Sequence, residues 1–121
     1  MISGAKAERI AADYLRKKHY KLIECNYRTR FGEIDLILEK RVSFRKKQII
    51  FAEVKMRNTS SIAEPKEFVD SSKQQKIILS ATEYLSRNKI DLQPRFDVIE
   101  IICDEEKIIS VKHLENAFTI S

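Results

Sequence analysis

The 121 residues suit one domain, and a chain of this size buries roughly two-thirds of its unfolded surface, so a core needs neither disulfides nor a structural metal. Hydrophobic residues at 43%, charged residues at 34%, two glycines and two prolines exclude a linker, a collagenous segment or a low-complexity tract. The 23 Lys+Arg against 18 Asp+Glu give a net charge of +5 and favour a polyanionic partner, although many basic proteins bind none.

In chain order, residues 3–18 predict a helix. Ala7, Ile10, Ala11, Tyr14 and Leu15 mark one buried stripe, Ser3 is placed to cap it, and Arg16, Lys17 and Lys18 suit its negative end. Residues 20–30 read as a first strand and 33–39 as a second after the Phe31-Gly32 break. A basic loop is expected over 41–48, a third strand over 49–57, and a polar loop over 57–64. Pro65 suits the first turn of a helix running to about Asn88. Two more strands follow at 95–103 and 107–114. The order α-β-β-β-α-β-β implies a single α/β domain over 1–121, one mixed sheet flanked by helices.

Alternation puts Glu33, Asp35, Ile37 and Glu39 on one face of the second strand and Ile34, Leu36 and Leu38 on the other. On the third strand Ile49, Phe51, Glu53, Lys55 and Arg57 share a face, opposite Ile50, Ala52, Val54 and Met56. If Glu39 faces Ile49 in a hairpin, Asp35 falls opposite Glu53 and Glu33 opposite Lys55. Two facing carboxylates repel, and a divalent cation converts that repulsion into binding, because Mg²⁺ takes one or two carboxylates, waters and phosphate oxygens. Lys55 beside them would orient a water or stabilise charge on a phosphate. A strand with one wet face is the alternative, but Ile49 and Phe51 on that face argue against it.

G-E-I-D-L-I at 32–37 followed by F-A-E-V-K-M-R at 51–57 resembles the PD-(D/E)XK nuclease motif, with Asp35, Glu53 and Lys55 in its three positions. G-A-K-A-E at 4–8, C-N-Y-R at 25–28, R-F-D-V-I at 95–99 and N-A-F at 116–118 extend the likeness over nearly the whole chain. The wider pattern resembles the YraN-like family of small bacterial proteins, itself similar to archaeal Holliday-junction resolvases. That resemblance implies a restriction-endonuclease-like fold and Mg²⁺- or Mn²⁺-dependent endonuclease chemistry on DNA, branched or structured DNA included. Departures are Ile34 for the motif's proline, Ala52 for a larger β-branched residue and His19 where a glycine is frequent. None removes a catalytic group.

By the same resemblance Glu8, on the edge of the first helix's stripe, matches a metal-reaching glutamate; the other reading is an acid favoured near a helix N-terminus. Lys73 interrupts the apolar row Val69, Ile77, Ala81 and Leu85, either snorkelling or aimed at the acids or the substrate backbone. Glu33 is a candidate for assisting the metal, binding a water or pairing with Lys55. Asp97 either buttresses the site or makes a structural salt bridge. Arg28, Arg30, Arg45, Lys46, Lys47, Arg57 and Lys73 form the group of candidate phosphate contacts. Tyr20 and Tyr27 suit core packing more than base stacking, and His19 with His113 are too few for zinc.

Cys25 and Cys103 make no disulfide framework and read as packed thiols of a reduced, cytoplasmic protein. No apolar run reaches the roughly 20 residues of a membrane span, and no secretory h-region opens the chain. Dimerisation would let so small a domain span a junction, though no interface signature is visible. A nucleic-acid-binding module of the same fold with little catalysis, or an interaction scaffold, would fit the charge as well.

Overall fold

The computed structural model describes residues 2–59 and 69–120. Helix α1 (Gly4–Lys17) is followed by strands β1 (Lys21–Thr29), β2 (Gly32–Ser43) and β3 (Lys46–Asn58). Helix α2 (Ser71–Arg87) then leads to β4 (Gln93–Asp104) and β5 (Lys107–Phe118). The five strands form one sheet in the order β1-β2-β3-β4-β5. All neighbours are antiparallel except β3 and β4, which run parallel and are joined by the crossover containing α2. This is the mixed sheet of the expected restriction-endonuclease-like fold.

Ser3 caps α1 as expected, its hydroxyl accepting the Lys6 N–H at 3.2 Å. His19 ends the helix at φ 71, the left-handed conformation that explains why a glycine suits this turn. Ala7, Ala11, Ala12 and Leu15 of α1 pack on Leu36, Leu38, Ile50, Ala52, Ile99 and Ile101, covering one face of the sheet. On the other face, Val69 and Ile77, Ala81 and Tyr84 of α2 pack on Ile34, Ile37, Ile49, Phe51, Phe96 and Val98. Tyr20 and Tyr27 serve packing: Tyr20 is buried beneath α1, and Tyr27 meets Tyr84 edge-on at 5.0 Å.

Three boundaries differ from expectation. The helix before the parallel strand begins at Ser71, where the Asp70 carboxylate accepts the Lys73 N–H at 2.8 Å; Pro65 lies outside the described residues, as does most of the expected polar loop. The expected basic loop over 41–48 is mostly strand, because β2 and β3 continue to a two-residue turn at Phe44 and Arg45. The β5 strand runs on to Phe118, whose ring stacks on Phe96. Of the two thiols, Cys103 is packed and Cys25 is exposed, so only one matches the packed reading.

Candidate active site at the fork between two strands

The hairpin has the anticipated register, with Glu39 opposite Ile49, and it holds as far as Leu36 opposite Ala52. There the ladder ends. From that point β2 stays with β1 down to Gly32, while β3 stays with β4 up to Asn58 opposite Cys103. Asp35 and Glu53 flank this fork. Asp35 and Glu33 therefore do not sit in the ladder against Glu53 and Lys55. Instead the Asp35 carboxylate (Oδ2) accepts the Val54 N–H at 2.8 Å, satisfying a donor that the parting strands leave over.

Alternation on β2 fails at the same place. Ile34 packs in the same cluster as Ile37, beneath α2, rather than on the opposite face with Leu36 and Leu38. On β3 it holds, with Ile49 and Phe51 beneath α2 and Ile50 and Ala52 beneath α1. Glu53 thus lies on the α2 side, only 5% exposed. Lys73 Nζ of α2 meets its Oε2 at 2.5 Å, so the lysine in the apolar helix row is aimed at the acids. Burial alone would lower the Lys73 ammonium, but the hydrogen bond and charge of Glu53 outweigh it and hold it above its ordinary value.

Asp35 carries the largest consequence of this crowding. Burial, with the nearby charge of Glu53 and a smaller contribution from Glu8, pushes its carboxyl up to about 7, against the pull of the Val54 N–H and of Lys73. Near neutral pH the Asp35 carboxyl is thus poised between its neutral and charged forms. Lys55, half-buried and two residues beyond Glu53 on β3, has no ion-pair partner among the described residues.

The donor set suits a hard divalent ion held by two carboxylates with waters filling the remaining positions. Among the described residues no three His, Cys, Asp or Glu side chains gather as a ligand group. Glu8, half-buried on α1, lies near enough for its charge to contribute to raising Asp35. Glu33 pairs with Arg28 Nε at 3.0 Å rather than with Lys55. Arg57 meets the buried Glu100 at 3.0 Å. Arg28 and Arg30 remain exposed, Arg30 lying over the Phe31 ring.

Asp97 makes a structural salt bridge, one of its two expected readings. It points to the α1 side with 0% exposure, and Arg95 clamps both its oxygens at 2.9 and 2.7 Å. His113 Nε2 lies 2.7 Å from it, and the Asn116 N–H donates to it at 2.9 Å. Arg95 in turn donates to the Tyr20 hydroxyl at 2.7 Å. Burial opposes the charge of Asp97, but His113, Arg95 and the Asn116 N–H prevail and lower its carboxyl.

Two contributors escape sequence reasoning. Lys76 shares with Lys73, Gly32, Glu33 and Asp70 the lining of a cleft of about 260 Å³, which Lys73 links to Glu53. Its one signal is position, a turn on from Lys73. Thr29 receives the Phe31 and Gly32 N–H groups at 3.0 and 3.2 Å and contacts the buried Ser80 hydroxyl at 2.8 Å, tying the turn before Asp35 to α2. Nothing local in the sequence marks that pairing.

The profile of the uncharacterised protein family UPF0102 matches residues 7–101. The chain is 46% identical to a UPF0102 protein of Caldanaerobacter subterraneus subsp. tengcongensis over 118 residues, 95% of this chain and 93% of that one. It is 42% identical to one of Alkaliphilus oremlandii, covering 95% and 96% of the two chains. A third, from Thermodesulfovibrio yellowstonii, is 43% identical, covering 95% and 94%. These matches take in the forked strands, both helices and the acid pair together. The chain belongs to the family UPF0102, the YraN family.

Proposed function

We propose that this protein is a divalent-metal-dependent endonuclease that hydrolyses phosphodiester bonds of DNA, branched or structured DNA included. The observation that carries the reading is the meeting of Asp35 and Glu53 at the strand fork, with Lys55 on the same strand face as Glu53. A buried glutamate whose charge raises the proton affinity of a neighbouring aspartate makes a poor surface for binding phosphate directly and a good one for a cation. Mg²⁺ or Mn²⁺ held by Asp35 and Glu53 would polarise a phosphoryl oxygen and lower the pKa of a bound water.

The chain's own groups have distinct tasks. Asp35 is held by the Val54 N–H, so its second oxygen is directed by the backbone rather than by a mobile side chain. Lys55 donates N–H groups to the attacking water and to the charge that builds on phosphate as the new P–O bond forms and the old one breaks. Lys73 neutralises Glu53 while the site is at rest, and with Lys76 and Arg28 it offers positive charge to the substrate backbone.

A second reading is a nucleic-acid-binding module with little turnover. It is favoured by one observation: the Lys73 ammonium already occupies a Glu53 oxygen, and no third acid completes a ligand group among the described residues. Cleavage of labelled linear, flapped and four-way-junction DNAs in Mg²⁺, Mn²⁺ or chelator separates the two. Metal-dependent products should fall on the order of 100-fold or more in Glu53→Ala and in Lys55→Ala. Unchanged cleavage in both variants would sink the nuclease reading, and salt-sensitive binding without products in any metal would favour the module.

A further inference from the structure

At the far end of the same two strands, the β2–β3 turn presents Phe44 at 85% exposure. A shift of register between Arg41 and Ser43 leaves Val42 as an extra, exposed residue, and such bulges twist and re-aim a hairpin tip. Arg41 Nη1 donates to the Phe44 carbonyl at 2.9 Å, so the tip is braced. Residues 40–47 hold five cations and no acid. Lys40 is engaged with the Lys18 carbonyl and Lys47 with Glu39. Arg45, in the turn beside Phe44, and Lys46, at the start of β3, have no ion-pair partner among the described residues.

A solvent-facing phenylalanine costs hydration free energy and does nothing for a core it never touches. Placed between cations on a braced turn, it has the composition of a stacking platform for unpaired bases: an aromatic face for the base and positive charge for the backbone. We propose that the β2–β3 hairpin tip is a second nucleic-acid contact, with Phe44 stacking on an unpaired base and Arg45 and Lys46 holding the adjacent phosphates. At about 3.4 Å per residue, the tip lies roughly 30 Å along β2 from Asp35. The tip therefore meets a part of the strand well removed from the acid pair. The proposal rests on the nucleic-acid partner of the reading above and not on its hydrolytic chemistry.

The chain has no tryptophan, so Phe44→Trp installs a single reporter at a position whose exposure spares the fold. The full-length variant is titrated in EDTA, where turnover is absent, with an oligothymidylate, a blunt duplex of matched length, and vesicles of mixed phosphatidylserine and phosphatidylcholine. Stacking should quench the tryptophan with the single strand and much less with the duplex. Phe44→Ala should weaken single-strand binding at least about fivefold, the equivalent of about 1 kcal/mol. Arg45→Ala/Lys46→Ala should lower the slope of log K against log salt by about 0.7 for each phosphate that is no longer neutralised.

Wild-type binding to the single strand that neither variant alters would overturn the tip contact and leave the nuclease reading standing. A blue shift with vesicles equal to or greater than the response to oligonucleotide would assign the tip to anionic membrane surfaces and overturn the proposal. A blue shift that grows with protein concentration alone would overturn it too, assigning the tip to self-association. Absence of any nucleic-acid binding by the wild type would remove both the tip contact and the reading beneath it.

Discussion

Asp35 takes the Val54 N–H at 2.8 Å where the backbone ladder between their strands has just ended. That one hydrogen bond joins two facts about the site: the carboxylate substitutes for a missing backbone acceptor, and the substitution holds it beside Glu53 in half-buried surroundings. The acid is thus part of the fold and part of the candidate chemistry together.

Its titration should be visible in stability. The folded carboxyl sits at about 7 and the unfolded one near its ordinary 3.8, so the folded state binds the extra proton between these values. The contribution to stability is full below about pH 4 and is lost as pH rises through 7. Asp35→Asn keeps an acceptor for Val54 and removes the titration. Thermal melts in EDTA should show the variant gaining on the wild type between about pH 5 and pH 8.5. A difference in Tm that is the same at both pH values would contradict this account.

Lys73 should matter most when no divalent ion is present. Removing it in Lys73→Met leaves Glu53 buried next to Asp35 without its counter-charge. The destabilisation should be on the order of 1–2 kcal/mol, below the 3–5 expected of a fully buried pair because Lys73 is 52% exposed. Urea denaturation checks the size, and combining Lys73→Met with Glu53→Gln should recover much of it. Mg²⁺ should raise the midpoint of Lys73→Met more than that of the wild type. Equal shifts would mean that lysine and metal do not share the acid.

These residues also mark where the sequence is legible and where it stops being so. The Glu39–Ile49 register follows from strand alternation and a hairpin, and the row from Val69 to Leu85 marks Lys73 as an anomaly without naming its partner. The fork is not legible, because alternation assumes an unbroken ladder; Ile34 and Ile37 share a cluster since β2 turns away from β3 between them. The hairpin tip reads as a loop because its strands are exposed on both faces and carry lysine and arginine in place of apolar alternation. The Asp97 network is hidden for another reason: Tyr20, Arg95 and His113 come together from α1's end, β4 and β5, and no local spacing encodes that meeting.

That network should govern acid stability. Its carboxyl is lowered in the fold, so the stabilisation it supplies is present above the unfolded pKa near 4 and fades as pH falls below it. Asp97→Asn leaves the Arg95 guanidinium, 11% exposed, without its buried anion, and should cost about 3–5 kcal/mol at neutral pH. The gap between melts of the wild type and variant should narrow as pH falls below about 4. Since Asp97 lies on the α1 side of the sheet, the variant should keep its affinity for single-stranded DNA at temperatures where it is folded; weakened binding there would return Asp97 to the site.

Gly32 tests how the turn delivers Asp35. Its φ is +152°, a backbone conformation that L side chains seldom adopt, while the nearest atom to an added Cβ is the Lys76 Cβ at 3.7 Å, an ordinary contact. Space is therefore not the obstacle, and the cost of Gly32→Ala is backbone strain, on the order of 1–3 kcal/mol. The Gly32 N–H is also held by Thr29, which in turn is fixed to Ser80 on α2, so the strain has little room to relax. Chemical denaturation of Gly32→Ala beside Thr29→Ala separates the two contributions: the glycine variant should lose stability through its backbone, and the threonine variant should lose about 1 kcal/mol or more through unsatisfied donors. If Gly32→Ala is as stable as the wild type, the turn adapts freely, and its backbone does not set the start of the strand that carries Asp35.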